Sequence, residues 1–179
     1  MPGLSLFSTA IGTCGIAWRG DRVVATQLPE ESGAATLARI AARSGGSEAT
    51  PTKGIALAIA SIQSLLAGNP VDLNDIACDF AGVDSLSEDI YAITRTIGPG
   101  ETATYGEIAQ RLGDKQPARQ VGRAMGRNPI PIIVPCHRVM GADNRLVGFS
   151  AHGGTDTKLK MLRIKGAQLG ESLSLFDDL

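Results

Sequence analysis

The sequence predicts an α/β protein in two parts, with a strand-bearing half leading and a mostly helical half following. Three observations carry that prediction. A hairpin pattern lies near residue 20, apolar stripes at helical spacing recur beyond residue 33, and the charge balance reverses near residues 82–87. Residues 1–85 carry five Lys/Arg against eight Asp/Glu, whereas residues 86–170 carry twelve against seven. A basic unit therefore sits inside a chain of net charge −1. Apolar content of 43% with 20% charged residues fits a globular chain rather than a disordered one. We expect an N-terminal α/β domain over 1–84, a C-terminal domain over 85–170, and an acidic tail, "ESLSLFDDL", over 171–179.

In order along the chain, "TCGIAWRGDRVVATQLPE" places apolar stretches on either side of a Gly20-Asp21 turn and reads as a β-hairpin. "GAATLARIAARSGG" puts Leu37, Ile40 and Ala41 at helical spacing before a Gly45-Gly46 stop. A stronger helix follows, with Ile55, Ile59, Ile62 and Leu66 forming its stripe and Gly68-Asn69-Pro70 ending it. "VDLNDIACDFAG" fits strand or extended chain. Ser85 with Glu88, and Thr104 with Glu107, each give the capping-box pattern before a helix. "ARQVGRAMGR" is a third helix of this half, ended by Asn128-Pro129. A core-like run, "IPIIVPCHRVM", precedes "GADN" as a turn and "RLVGF" as a returning strand. "TKLKMLRIKG" closes the domain as a helix with Gly166 at its C′ position.

Several function classes fall away on composition. No run of about 18 apolar residues exists to cross a membrane. The start lacks a basic leader followed by an apolar stretch, and three scattered cysteines make no disulfide framework. The expected setting is a reducing cytoplasm.

The basic charge is concentrated on one helix. Arg119, Arg123 and Arg127 recur every fourth residue, drifting only about 40° per step, with Gly122 and Gly126 bordering them. Val121, Ala124 and Met125 fall on the opposite side and can pack inward. Two short helices with the second one basic outline a helix-turn-helix; a solvated surface pair is the plainer alternative. The glycines need a reason, because each costs up to about 1 kcal/mol against alanine inside a helix. Close approach to a phosphate backbone or groove is one.

One of the two histidines directly follows one of the three cysteines, in "VPCHRV". Pro135 cannot donate to a sheet ladder, so regular pairing should end there. Burying His137 and Arg138 among Ile and Val without partners would be costly. Positive charge beside Cys136 is expected to lower its pKa. A zinc site would need four ligands, and no C-x-x-C exists. A thiol hydrolase is the other nucleophilic option, but a basic helix pair upstream has no purpose for a peptide substrate. A nucleophile beside a DNA-binding surface points to chemistry on DNA.

"NPIPIIVPCHRV" resembles the active-site signature of the O6-alkylguanine-DNA alkyltransferases, the methylated-DNA–protein-cysteine methyltransferases. "TYGEIA", "ARQVGRAMGRNP", "VGFSAHGG" and "KLKMLRIKGA" fall where that family's other motifs belong. The likeness is specific over about residues 86–167 and looser before them. It implies an N-terminal antiparallel sheet with helices, ribonuclease-H-like, and a winged-helix-like C-terminal domain carrying a helix-turn-helix. It also implies single-turnover repair of alkylated double-stranded DNA, approached through the minor groove by a monomer without cofactor or metal.

Residue by residue, the resemblance makes Cys136 the acceptor of the alkyl group and His137 a proton relay through a water. Tyr105 would donate to the departing guanine, and Asn128 would brace the turn into the reactive segment. Met125, Val139, Phe149 and Ser150 would form the guanine pocket, with the Cys136 and Val139 carbonyls and the Ser150 N–H bonding the base. Arg119 would fill the stack left by the flipped base, while Gly122, Arg123 and Arg127 would face DNA. One departure stands out. The family carries a glutamate before the last helix's terminal glycine, and this chain has Lys165 there. That reversal raises a rival reading, an alkylguanine-binding protein with little or no transfer.

Overall fold

The computed structural model describes residues 1–113 and 117–164. Strands β1 (Gly3–Thr9), β2 (Gly12–Arg19) and β3 (Arg22–Gln27) form an antiparallel meander. Helix α1 (Gly33–Ser44) returns the chain to a two-residue edge strand, β4 (Ser47–Glu48), which pairs parallel to β1. The sheet order is β3-β2-β1-β4. It is mixed, not purely antiparallel as expected, because a helix inserted between β3 and β4 reverses the direction of entry.

Alternation along the strands splits the sheet into two apolar faces. Leu4, Ala17 and Ala25 pack with Ile40 of α1. Gly15 of β2 permits that contact, since a Cβ there would lie 3.1 Å from the Ile40 side chain. Ile16, Trp18 and Val23 face the other way, joining Ile55, Ile62, Leu65 and Leu66 of α2 (Lys53–Leu66). The same core continues into the C-terminal half through Ile90 and Tyr91 of α3 (Ser85–Arg95), Ile108 of α4 (Tyr105–Arg111), and Val121 and Ala124 of α5 (Ala118–Arg127). The Tyr91 hydroxyl donates to the Ala124 carbonyl at 2.8 Å, locking α3 to α5. Helix α6 (Gly154–Ile164) adds Met161 to the core.

The expected hairpin and helices take these places, with four differences. Strand β1 formed where no strand was assigned. Helix α3 is capped by Asp84, whose carboxylate accepts from the Ser87 N–H at 2.9 Å, not by a Ser85–Glu88 box. Residues 130–135 are irregular: Pro129, Pro131 and Pro135 lack donors, and Ile132 adopts φ 78°. "RLVGF" is coil without a partner strand among the described residues; the turn before it closes through the Gly141 N–H to the Arg145 carbonyl. "VDLNDIACDFAG" is extended, and its 77–79 stretch bonds the edge of β3 on both sides of Val23.

Candidate active site

Thr104 caps α4 with a complete capping box: its hydroxyl accepts from the Glu107 N–H, and the Glu107 carboxylate accepts from the Thr104 N–H. That fixes Tyr105 at the head of α4, half-buried and turned toward α5. Helix α5 buries Val121, Ala124 and Met125 and exposes Arg119, Arg123 and Arg127. A Cβ on Gly126 would meet nothing within 4 Å, and one on Gly122 would only touch the Tyr105 ring at 3.9 Å. The protein itself therefore does not require either glycine for packing.

Asn128 ends α5 and is buried. Its Oδ1 accepts from the Ile130 N–H and its Nδ2 donates to the Val134 carbonyl, both at 3.0 Å. These bonds fold residues 128–134 into a compact loop and deliver Pro135 to the start of a 3-10 turn, Cys136–Arg138. Cys136 and His137 are both buried on this turn. Arg138, buried beside them, donates to the Ile97 carbonyl. Strand β6 (Val139–Met140) follows, paired parallel to β5 (Ala103–Thr104), so the reactive turn is tied to the head of α4.

Two adjoining cavities meet at Cys136. One, of about 250 Å³, is walled by Tyr105, Gly122, Met125, Gly126, Phe149 and Ser150. The other, of about 310 Å³, shares Met125, Gly126, Phe149 and Ser150 and extends to Asn128, Arg127, and Arg39 and Arg43 of the N-terminal half. The structure thus brings together Cys136, Tyr105, Asn128, Gly122, Met125, Phe149 and Ser150. His137 and Val139 lie buried behind the cavity, and Arg119 and Arg123 lie outside it. Lys165 falls outside the described residues.

Residues 85–167 match the model of the 6-O-methylguanine DNA methyltransferase DNA-binding domain. The chain is 41% identical over 120 residues to the methylated-DNA–protein-cysteine methyltransferase of Mycobacterium leprae, an overlap covering 67% of this chain and 70% of that one. This chain belongs to the methylated-DNA–protein-cysteine methyltransferase family. A crystal structure of the Mycobacterium tuberculosis O6-methylguanine methyltransferase superposes with a TM-score of 0.75 at 30% identity, covering 99% of this chain and 100% of that one. The M. tuberculosis OGT in complex with DNA gives the same TM-score at 31% identity, covering 98% and 99%.

Electrostatics in this methyltransferase-family site run against the expectation for the thiol. Burial pushes the Cys136 pKa up, and this outweighs the groups that pull it down. Those are the Asn128 side-chain hydrogen bond, the charge of Lys158, and the backbone N–H groups of Cys136 and His137. The resting residue is a thiol, with anion-stabilising groups already aimed at its sulfur. Tyr105 is likewise pushed up, by burial and then by Cys136, so its hydroxyl keeps its proton.

Lys158 was missed in the sequence. It is 1% exposed, its Nζ donates to the Val139 carbonyl at 2.5 Å, and burial lowers its pKa to about 8. The available signal was its register: Lys158 lies three and four residues before Met161 and Leu162, on the buried stripe of α6. Among the described residues, Glu30, Glu31 and His152 form the one carboxylate–histidine group compact enough to share an ion. It is largely exposed and without thiolate, unlike a structural zinc site.

Proposed function

We propose that this protein repairs alkylated DNA by moving the alkyl group from guanine O6 to the sulfur of Cys136, once per molecule. The observation that carries the reading is the position of Cys136, at the meeting of two cavities beside the small-residue edge of α5. Arg119 and Arg123 of that helix remain outside, exposed towards phosphates, and Arg127 is exposed at the rim of the larger cavity. A guanine stacked in a duplex cannot reach the sulfur, so the base is flipped into the cavity. Helix α5 lies in the minor groove, where Gly122 and Gly126 admit the sugar-phosphate walls and Arg119 fills the vacated stack. Arg123 and Arg127 supply sequence-independent attraction.

The thiol proton passes to a water held by His137, and the sulfur attacks the alkyl carbon. The C–O6 bond breaks and its electron pair stays on guanine. Tyr105 donates to the base as that charge develops, and guanine finally takes up the proton that the thiol gave. The Val139 carbonyl accepts from Lys158 with one lone pair and keeps the other for guanine's exocyclic amine, which the Cys136 carbonyl also receives. The Ser150 N–H bonds O6, while Met125 and Phe149 wall the ring. With Lys165 in place of the family's glutamate, the Lys158 ammonium supplies the favourable charge for the thiolate.

Residues 1–84, read as ribonuclease-H-like, support a winged-helix-like catalytic and DNA-binding unit over 85–170. The protein acts as a cytoplasmic monomer. The test is a duplex carrying O6-methylguanine with a labelled methyl group. One acid-stable label per protein is expected, and none with Cys136→Ser; label release into solvent would refute transfer.

A further inference from the structure

The N-terminal half is in direct contact with the segment that leads to Cys136. Three of that segment's carbonyls, those of Asn128, Pro129 and Pro131, accept hydrogen bonds from residues before position 44. The Thr26 N–H donates to the Pro129 carbonyl at 3.1 Å, and the Thr26 hydroxyl donates to that of Pro131. The third donor is Arg43, in the last turn of α1. Its Nη2 reaches the Asn128 carbonyl at 3.1 Å, while its Nη1 donates to Gln27 Oε1 at 2.8 Å and to the Thr26 carbonyl at 3.3 Å.

A planar guanidinium held at three acceptors is a fixed fork, whereas a lysine ammonium would be a loose point contact. Through the fork, α1 and β3 hold the backbone of the residue whose side chain also folds the 128–134 loop and bonds the Cys136 thiol. Arg43 lines the wall of the larger cavity and also feels the sulfur's charge. The other charged groups around it are Arg39, which opposes its charge, and Glu30, which favours it.

From this arrangement we infer that Arg43 is a positioning residue for alkyl transfer, acting through Asn128 to set the place of the Cys136 sulfur. The inference rests on the transfer reading above and assigns the N-terminal half a part in the rate itself. The 128–134 loop has few internal donors because two of its residues, Pro129 and Pro131, are prolines, and Pro135 follows it directly. An external brace is therefore what keeps the sulfur in line with the alkyl carbon.

The experiment compares the native chain with Arg43→Met and Arg43→Lys in single-turnover transfer across a range of duplex concentrations. Cys136 alkylation by iodoacetamide is followed against pH without DNA, at temperatures below each variant's melting point. Arg43→Met is expected to lower the saturating rate about 10-fold or more while half-saturation by DNA changes by less than about twofold. Its thiol profile should move to higher pH. Arg43→Lys should recover part of the rate. A full saturating rate with weakened half-saturation would overturn the inference and make Arg43 a DNA contact. An unmoved thiol profile, with activity lost only in proportion to folded protein, would overturn it in favour of a purely structural role. Failure of the transfer reading itself would show separately, as absence of alkylated product in the native chain.

Discussion

Replacing Lys158 with methionine should separate stability from reactivity. In the fold the ammonium is buried, and its pKa falls from the ordinary 10.5 to about 8. A lysine with a lowered folded pKa costs stability wherever it is still charged, below pH 8. The cost is relieved as pH rises from about 8 towards 10.5. That fall is worth about 3 kcal/mol at neutral pH, at about 1.36 kcal/mol per unit. Methionine fills a similar volume without the charge, but it leaves the Val139 carbonyl without its donor, at about 1–3 kcal/mol. The two effects nearly offset, so the melting temperature should hold or rise by a few degrees. Reactivity should move the other way. Removing a cation beside an acid typically shifts its pKa by about one unit or more, so the Cys136 thiol climbs further and transfer at neutral pH slows about 10-fold or more. Thermal melting and single-turnover transfer on the same preparation check both halves. An unchanged transfer rate would refute the electrostatic role, and a fall in melting temperature of about 10 °C or more would make Lys158 a structural residue instead.

Other perturbations probe the DNA face and the pocket. Gly126→Ala meets no atom in the free protein and gains up to about 1 kcal/mol of helix propensity, so melting should rise while duplex affinity falls. Undiminished affinity would show that nothing approaches that glycine closely. Arg123→Ala should reduce the slope of log affinity against log salt by about one, measured by titration at several salt concentrations; an equal slope places Arg123 off the DNA. Tyr105→Phe should slow transfer roughly 100-fold with binding intact, because the hydroxyl keeps its proton through the working pH range. A native rate in that variant would remove Tyr105 from the chemistry.

Much of this architecture was legible because local signals and tertiary context agree. The Gly20-Asp21 turn, the Ile55–Leu66 stripe and the Thr104–Glu107 capping box each mark an element that tertiary packing then retains. Strand β1 carries a weaker signal: Leu4 and Leu6 alternate with serine, but the segment is short and its partner β2 lies beyond a turn without a strong hairpin pattern. Asp84 displaced the expected cap because a carboxylate one residue upstream bonds the same first turn. "RLVGF" has strand composition but no neighbouring edge to pair with among the described residues, and strand propensity without a partner yields coil. At the site, Cys136, Asn128 and Tyr105 were accessible through local motif. Lys158 and Arg43 were not, because their partners, the Val139 and Asn128 carbonyls, are 19 and 85 residues away. The raised thiol pKa was also illegible, since burial outweighs the adjacent positive charges and burial is a tertiary property.

Of the three cysteines, Cys136, rather than Cys14 or Cys78, is the one placed to accept the alkyl group. Burial raises the pKa of all three thiols, but the two cavities reach only Cys136 among them. Peptide-mapped mass analysis after mixing the protein with an excess of O6-methylguanine duplex tests this most directly. One added methylene is expected, confined to the peptide bearing Cys136, with an equal loss of lesion from the DNA. Tight binding of the lesion with Cys136 left unmodified would contradict it.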